Sequence, residues 1–145
     1  MTADQLFQLS SLVSGIGWIF ILIVSPFNKN FDRFVMGIVV VMLAGLYTWI
    51  NISNFEPSIF KSFSTLQGVS ALFKSDIILL GCWLHILAFD LVVGVWIKKN
   101  ALVHGIKHAA TLPSLLLGIV FAPLGYIVYL VTRWIVKKKY FAENF

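Results

Sequence analysis

The sequence predicts an all-α, polytopic membrane protein: four transmembrane helices plus a short amphipathic helix lying in the interface. Three observations lead there. Hydrophobic residues fill 59% of the 145 positions and charged residues 12%, about half the charged share of a soluble domain. The mean hydropathy is +0.92. The apolar residues also gather in four runs, each near the roughly 20 residues a helix needs to cross the hydrocarbon. A single domain, 1–145, accounts for the length.

The first run covers about 6–25 and stops at Pro26-Phe27-Asn28. Met1 to Gln5 holds no lysine or arginine, so the run is expected to be a retained helix rather than a signal or transit peptide. The second covers about 33–52, with Arg33 and Trp49 suited to the two interfaces. The third covers about 76–97, with Ser75 as N-cap and Asp76 on a first turn that favours negative charge. The fourth covers about 113–136. Pro113 is acceptable in a first turn, Pro123 should kink the helix, and Gly125 permits close packing. In the longest connection, Ser64-Thr-Leu-Gln67 has the form of a capping box, and Leu66, Val69, Leu72 and Phe73 share a face. That predicts the interfacial helix, bounded by Lys61 and Lys74.

Four crossings put both termini on one side. Lys61, Lys74 and Lys137 to Lys139 then face Lys29, Arg33, Lys98, Lys99 and Lys107. The balance is even, so the positive-inside rule gives no orientation. The pI near 9.5 comes from clusters at the ends of apolar runs, Lys98-Lys99 and Lys137-Lys138-Lys139. These read as anchors on anionic lipid. No single basic face is available, so membrane lipid is an expected partner and nucleic acid is not. A single cysteine, Cys82, rules out a disulfide framework or a cysteine-rich metal site. Without a Rossmann glycine pattern, a P-loop or a nucleophile elbow, no cofactor is expected.

His85 and Asp90 stand inside the third run. A central aspartate costs about 2.5–3.5 kcal/mol on the insertion scale, so an ionisable pair there points to a functional site facing the interior. His85 lies about 13 Å into the helix, and the two residues are about 140° apart around it. Gly94 would let a backbone or ligand approach on the aspartate's side. His104-Gly-Ile-Lys-His108 has the spacing that puts two imidazoles on one helix face, as in zinc proteins. Gly105 weakens a helix there, so no metal site is assigned, and haem has no second signal. A His–Asp pair can accept and donate protons with no cofactor. The competing reading is a polar clasp in which His85, Asp90, Arg133 or Asn51 satisfy one another. Arg133 either snorkels beside Trp134 or turns inward towards Asp90 or a polar ligand.

Several stretches together resemble the abscisic-acid-deficient-four family. They are Gly68-Val-Ser-Ala-Leu-Phe73, Trp83-Leu-His85 through Asp90 to Gly94-Val-Trp96, Gly105-Ile-Lys-His108, Pro113, and Ala122-Pro-Leu-Gly-Tyr126 with Arg133. The resemblance runs from about residue 35 onward and is strongest over 66–133. Plant members of that family are chloroplast membrane proteins required for neoxanthin synthesis, and many bacterial members have no assigned function. The resemblance implies an intramembrane isomerase for a carotenoid or related isoprenoid, a hydrophobic polyene ligand, and no redox cofactor. An epoxide would open as a proton leaves the neighbouring polyene carbon. His85, Asp90 and His108 are then the expected catalytic residues, with Asp90 or His108 donating and His85 accepting. Trp83, Gly94, Pro123, Tyr126 and Arg133 are the expected substrate-binding residues. Lys107 departs from the proline found there in many members, and His104 is not a family position. A multi-pass protein of a bacterial inner membrane is expected.

Two other functions fit the same residues. One is an accessory protein that holds a carotenoid or lipid without changing it. The other is a small proton-coupled transporter built on a homo-oligomer, with Ser11, Gly15 and Gly17 furnishing the close contact.

Overall fold

The computed structural model describes residues 1–24 and 30–138. Ser25, the Pro26-Phe27-Asn28 stop, Lys29 and Lys139 lie outside the described residues. The chain is helical: α1 Ala3–Val24, α2 Asn30–Ser53, α3 Ile59–Ser62, α4 Leu66–Leu72, α5 Asp76–Val103, α6 His108–Gly118 and α7 Ala122–Lys137. Among the described residues, three helices are long and apolar enough to cross a membrane: α1, α2 and α5, of 22, 24 and 28 residues.

Local chemistry sets most of the ends. α1 opens on a capping box, with Thr2 accepting from the Gln5 backbone and the Gln5 side chain from the Thr2 N–H. It closes on a π-helical turn, Phe20–Val24, and α2 contains another, Val35–Val39. A short helix, α4, is present in this connection, but its cap is Thr65, whose hydroxyl accepts from Gly68 N at 3.0 Å. The expected Ser64–Gln67 box is therefore displaced by one residue. Val69 and Leu72 are half-buried, whereas Leu66 and Phe73 are exposed. Ser75 is the N-cap of α5, although its side chain makes no capping hydrogen bond.

α5 is the central element. α1 lies parallel to it, with Ser11 at Trp83 and Trp18 at Gly94. α2 runs antiparallel, with Asn51 at Gly81 and Asp32 at Lys98. Leu84, Leu91, Ile97, Ile21 and Val35 are fully buried at this seam. The sequence predicts an end to this helix near Ile97, with Lys98 as a headgroup anchor. Instead Lys98 and Asp32 are each 2% exposed and paired at 2.7 Å, which lets the helix run on to Val103. It ends in a Schellman motif: Gly105 at φ 60, Ile106 N bonded to Ala101 O, and Gly105 N bonded to Leu102 O.

The fourth expected span is not one helix. It is divided into α6 and α7 at 119–121, and Pro113 lies inside α6 rather than in its first turn. Pro123 opens α7 instead of kinking a longer helix, because a proline loses nothing where the N–H has no intrahelical partner. The chain then doubles back. A Cβ at Gly125 would lie 2.5 Å from the Ser114 carbonyl oxygen and 2.8 Å from Gly118 N, so α7 rests directly on α6. α6 starts level with Leu22, where His108 makes its contact, and finishes against Trp18. α7 returns past Trp96 and Asn100 to Lys137, whose Nζ would be 3.8 Å from a Cβ at Gly105. The hairpin thus enters and leaves at the end where α5 stops. Lys138 is at the opposite end of the bundle from the N-terminus, and the expected even split of basic residues does not hold. Among the described residues, Lys61 and Lys74 remain at the N-terminal end, while Arg33, Lys98, Lys99, Lys107, Lys137 and Lys138 gather at the other.

Candidate functional site

The tip of the α6–α7 hairpin reaches α5 halfway along its length and leaves a cleft there. His85, Phe89 and Asp90 form one wall; Phe121, Ala122 and Pro123 form the other. The cleft has a volume of about 560 Å³ and is open at the side. A second lobe of about 410 Å³ continues past Asp90 and Pro123 to Val93 and Tyr126. The lining is apolar apart from His85 and Asp90 and, in the second lobe, the Tyr126 hydroxyl.

Asp90 is 7% exposed, and among the described residues no donor reaches its carboxyl group. Its turn of α5 faces the hairpin tip, where α7 begins with Ala122 and Pro123. His85 sits one and a half turns earlier, on the rim. Its ring stacks on Phe89 with centroids 4.6 Å apart and is tilted against Tyr47 at 5.7 Å. The two groups separated by about 140° on the helix therefore flank one opening, because the hairpin tip spans the arc between them.

The remaining expected residues are distributed. Pro123 and Tyr126 line the cleft, with Tyr126 also 5.3 Å from the Trp96 ring. Trp83 faces α1: its Nε1 donates to Ser11 Oγ at 3.0 Å and its ring lies 5.2 Å from Phe7. Gly94 is approached by a neighbouring side chain, since a Cβ there would be 2.7 Å from the Trp18 ring. His108 is at the far end of the hairpin, its Nε2 donating to the Leu22 carbonyl at 3.0 Å. That oxygen belongs to the π-helical turn Phe20–Val24 of α1. Gly105 separates His104 from His108, so the two imidazoles do not share a helix face. Arg133 turns inward and is fully buried. Its guanidinium donates to Asn100 Oδ1 at 2.9 Å, and the Tyr129 hydroxyl donates to the same oxygen at 2.6 Å.

Sequence reasoning missed Phe89, Tyr47 and the hairpin-tip residues Val120, Phe121 and Leu124. The Phe121-Ala-Pro-Leu run held a usable signal, since a proline preceded by a break can begin a helix as well as bend one.

Three helices long and apolar enough to cross a membrane, a doubled-back hairpin and an ionisable pair halfway along the central helix define a helical membrane protein with an open apolar cleft. The chain belongs to the ABA4-like family, whose model, described as ABA DEFICIENT 4-like, matches residues 5–129. It is similar to "Protein ABA DEFICIENT 4, chloroplastic" of Arabidopsis thaliana, at 27% identity over 107 residues, covering 69% of this chain and 47% of that protein. The chain thus spans about half the length of that curated relative. No solved structure matches it.

Proposed function

We propose that this protein is an intramembrane isomerase-like enzyme that acts on a carotenoid or related isoprenoid polyene by acid–base chemistry of Asp90 and His85. The observation that carries this reading is the Asp90 carboxyl group, 7% exposed and opening on an apolar cleft of about 560 Å³. A polyene enters sideways from the lipid and needs no aqueous route. An apolar pocket with few placed polar groups is the ordinary form of a small-molecule site.

For an epoxide-bearing polyene the step balances without a redox partner. Asp90, carrying its proton, donates it to the epoxide oxygen as the C–O bond breaks. His85 removes a proton from the adjacent polyene carbon, and the electrons of that C–H bond form the new double bond of an allene. Product and substrate have the same atoms. Return of the proton from His85 to Asp90 restores the site. His108, engaged with Leu22 at the other end of the hairpin, takes no part in this scheme.

A second reading is favoured by one observation. His85 is stacked on Phe89, which builds an aromatic wall suited to holding a polyene unchanged. Expression of wild type, His85→Ala, Asp90→Asn and His108→Ala in a carotenoid-producing host, with mass spectrometry of the organic extracts, separates the two. The isomerase reading expects a polyene isomer with wild type and His108→Ala but not with the other two variants. Unchanged polyene bound to wild type, with no isomer, would make the protein a carrier. An isomer formed in full by both His85→Ala and Asp90→Asn would end the acid–base scheme.

A further inference from the structure

The two ends of the bundle differ in charge. At the N-terminal end of α5, Lys61 and Lys74 are offset by Asp4, Glu56 and Asp76. At the other end Arg33, Lys99, Lys107, Lys137 and Lys138 are all exposed. Among the described residues Asp32 is the only carboxylate there, and it is buried and paired with Lys98 at 2.7 Å. None of the exposed cations at this end forms an ion pair among the described residues. The doubled-back hairpin creates the imbalance, since a fourth crossing would have carried Lys137 and Lys138 to the acidic end.

The cations draw together at the base of the hairpin. Gly105, at φ 60, turns the chain out of α5, and Lys107 is the N-cap of α6. α7 returns to the same turn, where Lys137 Nζ would be 3.8 Å from a Cβ at Gly105. Lys138 follows at φ 57 and closes α7 with its N–H on Trp134 O at 2.8 Å. That left-handed conformation favours glycine, so the chain keeps a charge where backbone geometry alone would place none. Like charges gathered without an acid between them repel, and an anion seated among them removes the repulsion.

The surface around these lysines selects the kind of anion. Leu102, Val103, Trp134 and Val136 are exposed beside them, Val103 to 70%. Trp134 and Lys138 are four residues apart and so share a face of α7. A tryptophan and lysines above bare aliphatic side chains mark the level of the headgroups. A soluble anion would neutralise the lysines and leave the apolar surface beneath them uncovered. A phospholipid does both, with its phosphate at the lysines and its acyl chains along the side of the bundle.

We propose that the base of the α6–α7 hairpin is a binding site for an anionic phospholipid. Lys107, Lys137 and Lys138 surround the phosphate, and Val103 and Trp134 meet the acyl chains. Lys107 stands where the hairpin begins and Lys137 where it ends, so one headgroup ties both helices to the end of α5. The site is independent of what the cleft holds.

The test is a lipid titration of the purified full-length chain in detergent, read by native mass spectrometry and by thermal unfolding. The probes are dioleoyl phosphatidylglycerol, dioleoyl phosphatidylcholine and inorganic phosphate. Wild type should bind phosphatidylglycerol saturably and melt at a higher temperature with it, and respond little to the other two. A lysine near an anionic surface contributes about a fivefold change in affinity, so Lys107→Gln, Lys137→Gln and Lys138→Gln together should weaken binding on the order of a hundredfold. Arginine at the same three positions should keep the affinity, and serves as the control for folding. Lys61→Gln with Lys74→Gln should leave it unchanged. Equal binding of the two phospholipids by wild type overturns the site, as does a loss in the Lys61 and Lys74 variant as large as that at the hairpin base. Stabilisation by inorganic phosphate equal to that by phosphatidylglycerol overturns the lipid as its occupant.

Discussion

Replacing Gly125 by alanine tests the hairpin that builds the cleft. A Cβ at this position would stand 2.5 Å from Ser114 O, 2.8 Å from Gly118 N and 2.9 Å from Gly118 Cα. All three are backbone atoms, so no side-chain rotation relieves the clash and α7 must move off α6. Overpacking of this kind costs about 1–3 kcal/mol, against a helix-propensity gain of about 0.5–1 kcal/mol for exchanging glycine. The backbone neighbours favour the upper end, giving a net loss of about 2 kcal/mol. Gly15 provides the control: it is also mid-helix, but nothing lies within 4 Å of a Cβ there. Gly15→Ala should gain about 0.5–1 kcal/mol. Thermal unfolding in detergent reads the difference, at roughly 2–4 °C per kcal/mol for a chain of this size. Gly125→Ala should melt several degrees below wild type and Gly15→Ala at or slightly above it. Because Ala122 and Pro123 ride on the same helix, polyene binding should weaken in the first variant and not in the second. If Gly125→Ala is as stable as Gly15→Ala, the two helices do not cross at this point, and the hairpin that closes the cleft is wrong.

Two further expectations follow from the far end of the bundle. Lys98→Met leaves Asp32 as a buried carboxylate without its 2.7 Å partner; the loss should be about 3–5 kcal/mol, read by thermal unfolding, and Asp32→Leu in the same chain should recover much of it. Single cysteines at Lys107 and Lys137, in a Cys82→Ala background, should react with a membrane-impermeant maleimide from the same side, and a cysteine at Lys61 from the other. The side shared by Lys107 and Lys137 should be the one the positive-inside rule assigns to the cytoplasm or its equivalent. Labelling of Lys137 together with Lys61 would restore a fourth crossing.

The class and the position of the ionisable pair were legible because both are local properties of the chain. A histidine and an aspartate in an apolar run are conspicuous whatever surrounds them, and the long helices follow from composition. The hairpin was not legible from length. A run of 24 apolar residues fits one crossing or two short helices equally well, since both present the same hydrophobic period. What decides between them is where Gly118 and Gly125 meet, and that is tertiary. The same holds for Gly94 and Trp83, whose partners Trp18 and Ser11 are on α1, far away in sequence. The resemblance alone implied a catalytic role for His108, and its neighbours in sequence gave no hint that its ring would meet the Leu22 carbonyl of α1. Lys98 looked like an anchor for the corresponding reason: its partner comes from the start of α2.

The contrast between the two ends of α5 argues for work at its middle. Near the basic end the fold satisfies the charges it buries: Lys98 has Asp32, and Arg133 has Asn100 with Tyr129 beside it. A polar clasp around Asp90 would have done the same, yet the groups available for it are engaged elsewhere. Asn51 bonds to the Tyr47 carbonyl, Arg133 is one network away, and His85 lies flat on Phe89. An aspartate at the centre of a span costs about 2.5–3.5 kcal/mol, a large part of the 5–15 kcal/mol by which a typical fold is stable. Pairing would return some of that cost. Leaving the carboxyl open to an apolar cleft forgoes the return, and the proton-donor role proposed for Asp90 would account for it.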